Sequence, residues 1–139
     1  MAVIICGFSG IGKSYIAQTY NDFIDLESSG YKTENFPKNY IDEVERIIQE
    51  DDDEISYILL SCHAEVRAEL QNRGIKYMLV TPYRESKNEY LKRWLKRGEN
   101  IDFISKMDKN WNDMIISCYK DNSPHIYLQD DEYLSDILI

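Results

Sequence analysis

The chain has no apolar run approaching the roughly 20 residues that a membrane span needs, and with a net charge of −9 it has no basic stripe. The first absence excludes a membrane-spanning helix. The second excludes a general polyanion-binding surface and a stable nucleic-acid complex, because such binding requires rows of cations to displace counterions. Any anionic ligand must therefore meet a local cluster of positive charge. Cysteine is scarce. Cys6, Cys62 and Cys118 are odd in number, far apart and set in apolar segments, which fits neither metal-ligand spacing nor a disulfide framework. Buried free thiols are expected instead. Internal repeats, low-complexity tracts and linkers are also missing, and 139 residues predict one domain over 1–139. The apolar stretch Ala2 to Cys6 has no basic flank and runs straight into a glycine-rich turn, so it does not read as a signal peptide. A cytoplasmic location is the default expectation.

The remaining pattern alternates. Ala2–Cys6, "FIDLE" at 23–27, "ISYILLS" at 55–61, "IKYMLVTP" and "HIYLQ" at 125–129 read as five short strands whose near-continuous apolar character predicts burial on both faces. Helices are expected at 14–20, from Asn39 as a cap onward with Tyr40, Ile41, Val44, Ile47 and Ile48 on one face, at 63–73 closed by Gly74, at 85–97 and at 101–120. Phe103, Ile104, Met107, Trp111, Met114, Ile115 and Cys118 form a core-facing stripe on the last of these. The acidic run "EDDDE" at 50–54 reads as a solvated turn. Strands alternating with helices imply right-handed crossovers and a parallel α/β sheet covered on both sides.

Between the first strand and first helix stands "GFSGIGKS", Gly7 to Ser14, which satisfies G-x-x-x-x-G-K-[ST] at every fixed position in its proper strand-to-helix context. The glycines allow a sharp turn whose N–H groups point inward and form an anion nest at the positive end of a helix. Gly7, Ser9, Gly10, Ile11, Gly12, Lys13, Ser14 and Tyr15 are the expected nucleotide-binding residues. Lys13 is suited to reach the β- and γ-phosphates of ATP, and the Ser14 hydroxyl to take one position on Mg²⁺. A lysine and a hydroxyl residue in the first helical turn have no packing explanation.

In "YRESKNEYLKRWLKRGEN" at 83–100, Tyr90, Leu91, Trp94 and Leu95 share one helical face, Arg93 and Arg97 lie along its edge, and Lys92 and Lys96 fall outside. Bidentate guanidinium groups suit the spread charge of a transferring phosphoryl group, which makes the two arginines the expected catalytic cations.

On these two stretches the chain resembles the P-loop kinases of the nucleoside monophosphate kinase type, and "YLKRWLKRG" looks like the arginine lid of their guanylate-kinase-like members. Its size and "DLESS" followed by "NFPKNY" are similar to the compact nucleotide kinases encoded by bacteriophages. The resemblance implies a three-layer fold with a five-stranded parallel sheet in the order 2-3-1-4-5, a lid at about 84–100 and an acceptor loop at about 28–40.

One departure is plain. "YILLSCH" ends in Ser61, Cys62 and His63, with no aspartate to orient Mg²⁺, so Asp25 and Glu27 at the end of the second strand are the candidates for that task. His63 reads as a helix-start residue. The acceptor is expected beside residues 25–40, because ligands of open parallel sheets gather outside the carboxyl ends of the strands. Asp25 would stand nearest the reacting oxygen, Ser28 and Ser29 would bond a phosphate or sugar, aromatic residues of the loop would stack on a base, and Lys38 and Arg67 would meet an acceptor phosphate. Transfer of the ATP γ-phosphate to a nucleoside or deoxynucleoside monophosphate explains all these features together. A kinase of another small molecule or of a modified DNA base keeps the first two stretches, and a non-catalytic nucleotide switch keeps only the glycine-rich turn. The lack of an Asn-Lys-x-Asp stretch weighs against a guanine-specific switch.

Overall fold

The computed structural model describes residues 1–139. Its strands are β1 (Val3–Gly7), β2 (Phe23–Asp25), β3 (Tyr57–Ser61), β4 (Met78–Pro82) and β5 (His125–Leu128). They form one all-parallel sheet in the order β2-β3-β1-β4-β5, which is the expected α/β arrangement and strand order. The helices are α1 (Lys13–Thr19), α2 (Lys38–Glu50), α3 (Ala64–Asn72), α4 (Lys87–Arg97), α5 (Ile101–Tyr119) and α6 (Leu134–Leu138).

Strand side chains alternate between two cores. Ile5, Leu59 and Val80 point into a cluster with Phe8, Ile16, Tyr90, Trp94, Trp111 and Leu134. Ile4, Cys6, Ile58, Leu60 and Leu79 point the other way, onto Tyr40, Ile41, Val44, Val66 and Leu70. Both faces are covered, so each strand is apolar throughout rather than at every second residue. Trp111 lies in the core as its stripe implies, with Nε1–H donating to the Arg84 carbonyl at 2.9 Å. No helix is long and apolar enough to cross a membrane.

Three details depart from the sequence reading. Helix α2 starts at Lys38 with Pro37 in the capping position; Asn39 lies inside the first turn, where its Oδ1 accepts from the Tyr40 amide and its amide group donates to the Tyr31 carbonyl. Leu95 does not share the buried face of α4: it is 66% exposed, because Tyr90 and Trp94, with Leu91 beside them, fill the interface. Finally, α6 follows β5 where no helix is expected from so short a segment.

Candidate functional site

Parallel register brings the carboxyl ends of β1, β2 and β3 to one edge: Gly7 pairs with Ser61, and Asp25 with Leu59. The Gly7–Ser14 turn rises from that edge. Gly10 and Gly12 have φ of +93° and +97°, a region that side chains with a Cβ rarely occupy. Phe8 and Ile11 bury their side chains and anchor the turn to the core, so Ile11 faces a ligand only with its backbone. The amides of Ser9, Gly10, Gly12, Lys13, Ser14 and Tyr15 donate no hydrogen bond within the chain. Six unpaired N–H groups around one turn at the start of α1 make an anion nest.

Lys13 folds back over this turn, its Nζ donating to the Gly7 carbonyl at 2.5 Å. Ser14 Oγ donates to Asp25 Oδ2 at 3.1 Å, which joins the first turn of α1 to the end of β2. A hydroxyl and a carboxylate side by side are hard oxygen donors suited to Mg²⁺, a cation that takes one or two protein oxygens and fills its remaining positions with phosphates and water. The Tyr15 side chain is exposed and outside the turn.

The wall behind the turn is more rigid than a lid. Arg93 is 7% exposed at its side chain and donates to the carbonyls of Gly10 at 3.0 Å, Asp130 at 2.7 Å and Glu132 at 3.1 Å, and to Glu89 at 3.1 Å. Its guanidinium lies between the rings of Tyr90 and Tyr133, at 4.4 and 3.9 Å from their centroids. The Leu134 amide donates to the Ile11 carbonyl at 2.8 Å, and a Cβ on Gly12 would stand 3.2 Å from Tyr133. A Cβ on Gly10 would stand 3.1 Å from both Trp94 Nε1 and the Tyr90 ring. Arg93 thus fastens the glycine-rich turn to α4 and to the segment before α6, and the expected pair of free lid arginines is corrected to one. Arg97 is half exposed and meets only Glu99, at 3.4 Å. Lys92 and Lys96 are exposed, as a solvated face requires.

Two acceptor-side expectations fail. Arg67 is buried inside α3, not at the sheet edge. It donates to the Cys62 carbonyl at 2.9 Å, the Ser117 carbonyl and hydroxyl at 3.3 and 2.6 Å, and Asp121 at 3.1 Å. Four of its five N–H groups are so occupied and the side chain is 7% exposed, so it is not placed to meet a ligand. Burial works to raise the Asp121 carboxyl, but hydrogen bonds from Tyr77, Ser123 and Arg67 prevail and hold it below its usual range. The second failure is the stacking role foreseen for the loop aromatics. Tyr40 is fully buried, donates to the Leu26 carbonyl and accepts from the Ser61 amide, while Tyr31 and Phe36 lean on its ring. Ser28 is buried, with the Ser61 hydroxyl donating to its Oγ at 2.8 Å. Glu27, Ser29 and Lys38 remain exposed.

The sequence reading passed over Lys32 and took His63 only as a helix-start residue, the position it holds before α3. Lys32 Nζ lies 3.4 Å from His63 Nε2 and 5.9 Å from the Phe36 ring centroid. Crowding by the surrounding chain and the cations Lys32, Lys13, Lys106 and Arg67 push the imidazole down to about 4. Of the thiols, Cys6 and Cys118 are buried and Cys62 half-buried; a hydrogen bond from Cys118 draws the Cys62 thiol down. The chain matches no known family model, no curated protein and no solved structure.

Proposed function

We propose that the protein transfers the γ-phosphate of ATP to a nucleoside or deoxynucleoside monophosphate, with Mg²⁺ as cofactor. The observation that carries this reading is the set of six unpaired amides around Gly7–Ser14, with Lys13 folded over them. Such a turn neutralises a chain of phosphates better than any single charge, and phosphoryl transfer needs mainly this kind of positioning and charge stabilisation.

In the reaction the donor phosphates take the amides of the turn, and Lys13 leaves the Gly7 carbonyl for the β- and γ-phosphate oxygens. Ser14 and Asp25 supply the protein oxygens that hold the metal, which when bound neutralises charge on the donor phosphates. Arg93 keeps the turn in its binding shape through Gly10. Arg97, in a weak and exposed pair with Glu99, is free to swing toward the transferring group. The acceptor lies beyond Asp25, alongside the segment from Glu27 to Lys38.

A coupled phosphotransfer assay over the common monophosphates and their dephosphorylated nucleosides tests the reading. Turnover with a monophosphate, and loss of it with the matching nucleoside, is the expected outcome. Equal turnover with both would replace this reading by a kinase of another small molecule, and ATP binding without transfer to any acceptor would favour a switch.

A further inference from the structure

Arg67 is spent inside the fold, yet an acceptor with a phosphate of its own needs cations at the sheet edge. The residues that meet there are Lys32, from the loop after β2, and His63, in the segment after β3. In a chain of net charge −9, these groups lie together although neither of them has an acidic partner among the ion pairs. Lys32 is steered by the Phe36 ring and stands 3.4 Å from His63 Nε2. His63 occupies the capping position of α3 but makes no capping bond with its side chain, so its ring is not committed to the helix. Lys106 and the P-loop Lys13 act on the same imidazole. Like charges held close repel one another, and the arrangement becomes favourable when an anion sits among them.

We propose that Lys32 and His63 form the subsite for a phosphomonoester dianion, the phosphate of the acceptor. The inference rests on the phosphotransferase reading of the neighbouring turn. Lys32 supplies a point charge on a flexible stem, and His63 supplies one ring N–H to a phosphate oxygen. A neutral acceptor would leave the Lys32 charge uncompensated beside the other lysines, which gives the site its preference for a phosphorylated one.

Two measurements test this on the full chain. The first follows the His63 ring protons by NMR during titration with inorganic phosphate in the Lys13→Ala variant, where the nest is weakened. A saturable shift is expected, with the imidazole titrating at higher pH once phosphate is bound, and the shift is lost in Lys32→Ala. The second compares Lys32→Ala and His63→Ala with the unaltered protein in the acceptor assay. KM for the monophosphate should rise about tenfold or more, as expected on losing a charge-assisted contact, while donor KM and kcat at saturation stay within about twofold. Lys32→Arg should recover most of the acceptor affinity. An indifferent His63 resonance, or equal loss of donor and acceptor affinity, overturns the subsite even if transfer is real. If no acceptor is phosphorylated, the phosphotransferase reading falls, and the NMR titration still decides whether these residues bind a phosphate dianion.

Discussion

The glycine-rich turn and the segment after β2 leave the same sheet edge but are built in opposite ways. The turn Gly7–Ser14 is held from behind by Arg93, Tyr90, Trp94 and Tyr133 and keeps its own amides free. The segment Glu27–Lys38 is anchored from beneath by one buried tyrosine, Tyr40, and exposes most of its polar side chains. A site for a constant group such as a triphosphate gains from rigidity, because pre-set donors need no reorganisation when the charge arrives. A site that chooses among acceptors works through side chains at the surface. The comparison teaches that, in the proposed reaction, the backbone would bind the donor and side chains would select the acceptor.

The largest structural effect should come from neither region but from the joint that supports the acceptor side. Arg67 and Asp121 are 7% and 1% exposed, and Arg67→Ala would leave a buried carboxylate without its cation, a loss of about 3–5 kcal/mol. Chemical denaturation checks it. A loss below about 1 kcal/mol would mean that Arg67 is free, and would restore it as a ligand candidate.

Arg93→Ala comes next. It removes several charge-assisted bonds around the turn and should cost about 2–3 kcal/mol, with ATP affinity falling in step because Gly10 loses its tether. Arg97→Ala should change stability by less than about 0.5 kcal/mol, as an exposed pair does, and act on turnover alone. Melting curves and ATP titration of both variants sharpen the contrast between a structural arginine and a mobile one. Matching effects would erase it.

A smaller effect is set by pH. The His63 imidazole is depressed to about 4, below its unfolded value of about 6.5. Between these values the unfolded chain binds a proton that the folded chain refuses, so the stability present above about 6.5 is lost as pH falls toward 4. Asp121, also depressed, extends the loss to lower pH as its carboxyl is protonated. His63 is an exposed residue despite the crowding around its ring, and solvent screening keeps its share modest. Denaturation midpoints across pH 4–7 should flatten in His63→Ala, and an unchanged slope would show that other groups carry it.

Much of this was legible in the sequence, for identifiable reasons. The strands and the turn are encoded locally, in short apolar runs and in the spacing of the glycines, whereas the strand order is implied only by the resemblance to P-loop kinases. The adjacency of Asp25 to Ser14 follows from where the second strand ends. Arg67 was misjudged because periodicity places it on a helix but does not reveal that Ser117 and Asp121, some 50 residues on, come to meet it. The aromatics of residues 25–40 look available on paper, but they pack on one another around Tyr40. Tyr133 and the carbonyls of Asp130 and Glu132 carry no motif, and their role at the turn depends wholly on where β5 ends. Lys32 and His63 are 31 residues apart and meet only through the parallel register.

The central claim is that Gly7–Ser14 binds and activates a triphosphate through Lys13, and turnover of Lys13→Ala beside the unaltered protein tests it most directly. Lys13 contributes charge to the turn and little packing. Phosphate transfer should therefore fall by at least about a hundredfold while the melting temperature stays the same. Undiminished turnover in a variant that melts like the unaltered protein would contradict it.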